Sequence, residues 1–116
     1  MYSNPPIHGA RIVDEVLGDA ALTKRWHEEL VLMSSRMQAM RTGIVSKLKE
    51  HGSNHDWSHI TSQIGMFAYT GLDQSQVDRM INDYHIYLTA DGRISIAGLN
   101  TGNLEYIAGA MHAVTK

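Results

Sequence analysis

The stretch "DAALTKRWHEELVLMSSRMQAMRTGIVSKLKEHG", residues 19–52, carries the strongest periodic signal in the chain. Leu22, Trp26, Leu30, Met33, Met37, Met40, Ile44 and Leu48 step by four, four, three, four, three, four and four. That is one continuous stripe on a helix of 3.6 residues per turn. The spacing predicts a single helix from about Ala20 to His51, with Asp19 as its N-cap and Gly52 just past its end. Lys24 with Glu28 and Arg25 with Glu29 fall at i,i+4 on its wet side. The methionines of the stripe read as core packing rather than as an open binding groove. Such a helix would be about 48 Å long at ~1.5 Å per residue. A single globule of this chain length spans only about 30–40 Å. The helix is too long for one small domain.

Working outward, a short helix is expected from about Ala10 to Leu17, with Ile12, Val13, Val16 and Leu17 on one face and Gly18 as its stop. Before it, Pro5-Pro6 holds the chain extended. After the long helix, "GSNHDWSHITSQ" reads as a polar connection with room for one helical turn, and "GMFAY" (65–69) as a short strand. "TGLD" turns into a helix from about Gln74 to Asp83 with Val77, Met80 and Ile81 inward. A last helix, about Gly102 to Val114, buries Leu104, Ile107, Met111 and Val114.

Between these helices, residues 85–89 and 93–97 alternate apolar and polar and read as the two strands of a hairpin. A three-residue loop, Ala90-Asp91-Gly92 with Gly92 left-handed, sets Leu88 against Ile94 and Ile86 against Ile96 on one face. Tyr87, Thr89, Arg93 and Ser95 then share the polar face, which gives Arg93 hydroxyl neighbours and a direction. On the pattern alone, Arg93 reads first as a solvated hairpin charge. The whole reads as a two-layer α/β domain with a small sheet and a helical coat.

Composition narrows the function. With 116 residues, 43% hydrophobic and 19% charged, the chain has the make-up of a folded domain. A formal net charge of −2 offers no field suited to nucleic acid or an anionic membrane. No apolar run approaches the ~20 residues of a spanning helix. The lack of cysteine excludes disulfides, thiolate metal sites and cysteine nucleophiles. His51, His55 and His59 have i, i+4, i+8 spacing, but Gly52, Ser53 and Asn54 put them on a loop, so no metal site is expected. Nucleophile elbows, Walker loops and G-x-G-x-x-G runs are missing. Lys24, Lys47, Lys49 and Lys116 lie away from the apolar stripe or at the terminus, and none suits Schiff-base chemistry. Pattern reading stops at an α/β domain with one directed arginine and no catalytic machinery.

The residues themselves say more. "YSNPPIHGARIV", "WHEELVLMSSRMQAMR", "IGMFAYTGL", "HIYLTADGRISIAGL" and "NLEYIAGAMHAVTK", in this order, resemble the C-terminal part of the aspartate aminotransferase family. These are fold-type I, class I enzymes that use pyridoxal 5′-phosphate. The resemblance runs from Tyr2 to Lys116. It implies a homodimer whose protomers have a large cofactor domain and a small C-terminal domain. Residues 1–32 would end the large domain and begin the bridging helix, and residues 33–116 would form the small domain.

By the same resemblance, Arg93 grips the substrate α-carboxylate, Phe67 is a small-domain aromatic close to the active site, and Ser3 and Asn4 stand near its mouth. It puts the Schiff-base lysine and the cofactor-binding residues upstream, so no catalytic, cofactor-binding or metal-binding residue is expected here. Met1 is then expected to be internal to a longer chain, and this part alone to be inactive. The implied reaction moves an amino group between L-aspartate and 2-oxoglutarate. An aromatic or broad-specificity aminotransferase, or a non-catalytic ligand-binding module, are the alternatives. "DGRIS" and the "VTK" ending lean to the mitochondrial over the cytosolic type.

Overall fold

The computed structural model describes residues 3–116; Tyr2 lies outside them. Its elements in chain order are α1 (His8–Gly18), α2 (Ala20–Glu50), α3 (Ser58–Ser62), β1 (Phe67–Tyr69), α4 (Gln74–Tyr84), β2 (Arg93–Ser95), a 3₁₀ turn (Ile96–Gly98) and α5 (Leu104–Val114). The described residues fall into two compact units, one ending at Ser35 and the other running from Arg36 to Lys116. None of the described helices is long and apolar enough to cross a membrane.

Both ends of α2 are set by local chemistry. Asp19 Oδ1 accepts from the backbone N–H groups of Ala21 and Leu22, both at 2.9 Å, which satisfies two of the first-turn donors. At the far end Gly52 takes φ +81. Its N–H reaches the Lys49 carbonyl at 2.9 Å, and the Ser53 N–H reaches that of Leu48 at 3.0 Å. These two bonds make the Schellman closure that a left-handed residue permits.

The apolar stripe of α2 is continuous in sequence but not in burial. In the first unit Leu22, Trp26, Leu30 and Met33 are exposed, as are Ile12, Val13 and Leu17 of α1. Met33 is therefore no core residue in this chain, contrary to the sequence reading. Its successors are: Met40, Ile44 and Leu48 are buried, and Met37 packs against them. The difference is one of supply. Residues that surround Met40, Ile44 and Leu48 all come from the second unit, whose core adds Trp57, Ile60, Val77, Met80, Ile96 and Met111.

The sheet differs from the expected hairpin. Residues 85–89 form no strand, and β2 pairs antiparallel with β1. The register sets Phe67 opposite Ser95, Ala68 opposite Ile94 and Tyr69 opposite Arg93. Two further bonds continue the pairing, from the Ile96 N–H to the Met66 carbonyl (2.7 Å) and from the Thr70 N–H to that of Gly92 (2.9 Å).

The cause lies at the end of α4. His85 is left-handed (φ 53), and the Ile86 N–H is used to cap α4 on the Met80 carbonyl at 3.0 Å. A strand there would need extended backbone from residue 85 onward, and the left-handed His85 breaks it. Only Thr89 stays in hairpin register, its N–H meeting the Arg93 carbonyl at 3.1 Å. Residues 96–98 turn away as a 3₁₀ helix instead of extending β2. The side-chain alternation survives: Ile94 and Ile96 are buried, and Ile86 and Leu88 pack against the core.

Candidate functional site

Strand alternation builds the site. Ala68 and Ile94 point into the core, so Phe67, Tyr69, Arg93 and Ser95 share the outer face of the two-stranded sheet. Phe67 and Tyr69 are 59% and 53% exposed, an arrangement that leaves two aromatic rings and a guanidinium on one small open surface. The structure thus brings Arg93 and Phe67 together, as neighbours on a sheet face rather than through the hairpin expected for Arg93.

The loop before Arg93 is tightly specified. Gly92 is buried at φ +84, and a Cβ there would lie 2.8 Å from the Leu72 carbonyl oxygen. Only glycine fits both the dihedral and the space. The Thr70 hydroxyl donates to the Gly92 carbonyl, and the Gly92 N–H donates to the Thr89 carbonyl at 2.9 Å. The Arg93 N–H donates to Thr89 Oγ1 at 3.0 Å.

Arg93 reaches its nearest anion within the same loop. Nε donates to Asp91 Oδ2 at 2.9 Å and to Oδ1 at 3.2 Å. The Thr89 hydroxyl donates to Oδ1 from the other side. This hydroxyl first, and the guanidinium next, hold the Asp91 carboxyl below its ordinary value, so it is ionised at neutral pH. Among the described residues, neither Nη of Arg93 donates a hydrogen bond. Both Nη groups are thus unengaged on a side chain that is more than half exposed, and such a pair of donors matches a carboxylate.

The opposite strand is held from behind. Arg41, on α2, is 1% exposed. Its Nη1 donates to the Ile60 carbonyl at 2.9 Å, and its Nη2 to those of Gly65 and Phe67, both at 2.8 Å. Burial lowers its pKa, yet a guanidinium keeps its proton at neutral pH. On the outer edge, Gln63 acts as a short surrogate strand: its Oε1 accepts from the Tyr69 N–H at 2.8 Å, and its Nε2 donates to the Tyr69 carbonyl at 3.3 Å.

Arg41, Gln63, Tyr69 and Asp91 went unmarked in the sequence reading. Arg41 did leave a signal, because a charge four residues from Met37 and three from Ile44 sits inside the apolar stripe. Ser3 and Asn4 are exposed, in the segment ahead of α1 in the first unit. The loop histidines go to separate partners: His51 to Glu105 at 2.8 Å, His55 to the Thr115 carbonyl at 2.9 Å, and His59 to the Thr70 carbonyl at 3.1 Å. Lys47 pairs with Glu50 and Glu105, which raise its pKa, and Lys24 pairs with Glu28.

A small two-stranded sheet in a helical coat, preceded by a helix of 31 residues, has close counterparts in one family. The aminotransferase class I and II family model covers residues 1–111, and the chain belongs to that family. Over all 116 residues it is 60% identical to the mitochondrial aspartate aminotransferase of Dictyostelium discoideum, covering 27% of that protein.

Solved structures agree. A mitochondrial aspartate aminotransferase from Trypanosoma brucei superposes with TM-score 0.97 at 52% identity, over 100% of this chain and 30% of that one. An aromatic-amino-acid aminotransferase from Burkholderia pseudomallei, covalently bound to pyridoxal phosphate, gives 0.97 at 48% identity, over 99% and 29%. The chain spans roughly a quarter of the length of the curated relatives it matches.

Proposed function

We propose that this chain is the C-terminal part of an aspartate aminotransferase. The parent enzyme exchanges an amino group between L-aspartate and 2-oxoglutarate, giving oxaloacetate and L-glutamate. Arg93 holds the substrate α-carboxylate. The observation that carries this reading is the unengaged Nη pair of Arg93, on the same sheet face as Phe67, in a chain with this degree of likeness to aspartate aminotransferases.

Pyridoxal 5′-phosphate, when bound, supplies the electron sink for amino-group transfer. The residues present here do not form its holding site. Lys24 and Lys47 are ion-paired, and Lys49 and Lys116 are exposed on the surface. The cofactor then belongs to the rest of the parent enzyme, and the isolated chain does not transaminate. In this reading residues 1–32 close the large domain and lead into the bridging helix, and residues 33–116 form the small domain. The exposed apolar residues of the first unit support that division. Ser3 and Asn4 stand near the mouth of a site completed in a homodimer. Mitochondrial localisation is supported by the relatives from Dictyostelium and Trypanosoma.

The likeness to the Burkholderia enzyme favours one second reading, an aromatic or broad-specificity aminotransferase. The test is Arg93→Lys in the full-length enzyme, assayed with aspartate and with an aromatic amino acid. One ammonium cannot reproduce a paired contact worth ~1.5–3 kcal/mol per charge-assisted bond, so kcat/KM falls by well over tenfold. Near-normal kcat/KM for both substrates overturns the role of Arg93. A wild-type preference for the aromatic amino acid replaces the first reading by the second.

A further inference from the structure

The loop that presents Arg93 carries a second charge that carboxylate binding does not by itself require. Asp91 is an anion two residues before an arginine assigned to an anionic substrate, and through space it would oppose that substrate. Its position explains why it is tolerated. Both its oxygens lie on Nε, which leaves the edge formed by Nη1 and Nη2 open.

We propose that Asp91 is a positioning residue for Arg93: by occupying the Nε edge it turns the Nη1/Nη2 edge toward the substrate carboxylate. The proposal rests on the reading of Arg93 given above. A guanidinium can take a carboxylate across its two Nη groups or across Nε and one Nη. With Asp91 on Nε the second mode is closed, both by occupancy and by repulsion between two carboxylates. One docking geometry remains.

Asp91 is itself held. The Thr89 hydroxyl bonds its Oδ1, while the Thr89 main chain ties both to Gly92 and to the Arg93 carbonyl. The left-handed Gly92 makes this tight path possible. Both charged side chains are more than half exposed in this chain, at 57% and 58%, and exposed ion pairs add little to stability. The effect of the pair is therefore on direction, and its signature is in substrate affinity.

The experiment uses the full-length, cofactor-loaded enzyme and four variants: Asp91→Ala, Asp91→Asn, Thr89→Val and Arg93→Lys. The dissociation constant of succinate, an unreactive dicarboxylate, is measured alongside KM and kcat. Asp91→Ala is expected to weaken succinate and raise KM for both the amino and the oxo acid by about tenfold, with kcat within about threefold, because uniform binding is what is lost. Asp91→Asn keeps an oxygen on Nε and should restore affinity to within about threefold of wild type. Thr89→Val should fall between them.

Unchanged affinity in Asp91→Ala overturns the proposal, and so does an equal loss in Ala and Asn, which would indicate charge rather than placement. If Asp91→Ala does not fold, Asp91→Asn and Thr89→Val still decide: wild-type affinity in Asn with reduced affinity in Val supports it, and any other pair of results overturns it. Full succinate affinity in Arg93→Lys overturns the reading of Arg93 and this proposal with it. Weak binding in Arg93→Lys beside normal binding in Asp91→Ala overturns the positioning role alone.

Discussion

The buried guanidinium of Arg41 and the main chain of Phe67 are joined by a 2.8 Å hydrogen bond from Nη2 to the carbonyl oxygen. The same Nη2 serves Gly65, and Nη1 serves Ile60. One side chain from α2 therefore fastens the end of α3 and the start of β1, and the register of β1 decides which residues stand beside Arg93.

Arg41→Leu would leave three carbonyls without their donor, that of Ile60 buried and those of Gly65 and Phe67 part-buried. A buried carbonyl without a partner costs ~1–3 kcal/mol and a part-buried one less, so a loss of about 2–3 kcal/mol is expected, read as a lower urea midpoint. Arg41→Lys retains the charge but not the planar fork, and should fall between that variant and wild type. A midpoint unchanged in Arg41→Leu would contradict this role.

Gly92→Ala tests the loop. Its Cβ would meet the Leu72 carbonyl oxygen at 2.8 Å and Thr70 Oγ1 at 3.1 Å, at a dihedral of +84 that alanine adopts at a cost. Backbone neighbours yield poorly, so a loss of ~1–3 kcal/mol is expected, together with weaker substrate binding because Arg93 follows directly. Thermal denaturation and KM read the two effects.

Acid should loosen the attachment of α5. His112 stacks on His51 with ring centroids 6.1 Å apart. First partial burial, then the charges of Lys116, His51 and His55, hold its pKa below the ordinary 6.5; Glu105 sits across His51. The unfolded chain, with the higher pKa, takes up protons first as pH drops. This contribution is present in full above about pH 6.5 and is lost as pH falls from there through the folded value. His112→Gln should flatten the decline in thermal midpoint between pH 7.5 and 5.5; an unaltered slope would exclude His112 as its source.

The lysines yield a chemical prediction. Glu50 and Glu105 keep Lys47 protonated, and a protonated amine does not attack an aldehyde. The isolated chain mixed with pyridoxal 5′-phosphate and borohydride should show no stoichiometric adduct at a single lysine by mass spectrometry. A stoichiometric adduct would mean that a lysine here is activated.

Much of this protein is local and therefore written in the chain itself. Asp19 caps α2 through N–H groups two and three residues away, Gly52 closes it through carbonyls within a few residues, and the alternation that buries Ile94 and exposes Arg93 follows from the two-residue period of an extended strand. The blocks around Phe67 and Arg93 carried the resemblance to the aminotransferases as well.

Tertiary structure alone decided three things. It paired β2 with β1 and left residues 85–89 without a strand, because the chain leaves α4 through a left-handed His85. It divided the α2 stripe, burying Leu48 and leaving Trp26 exposed, because burial depends on what lies opposite and not on periodicity. It also converted Arg41 from an apparent interruption of that stripe into its strongest polar anchor, through carbonyls 19 to 26 residues away. Helix ends and turns form among neighbours a few residues apart. Strand pairing and burial join groups far apart in the chain, and only the folded molecule brings those together.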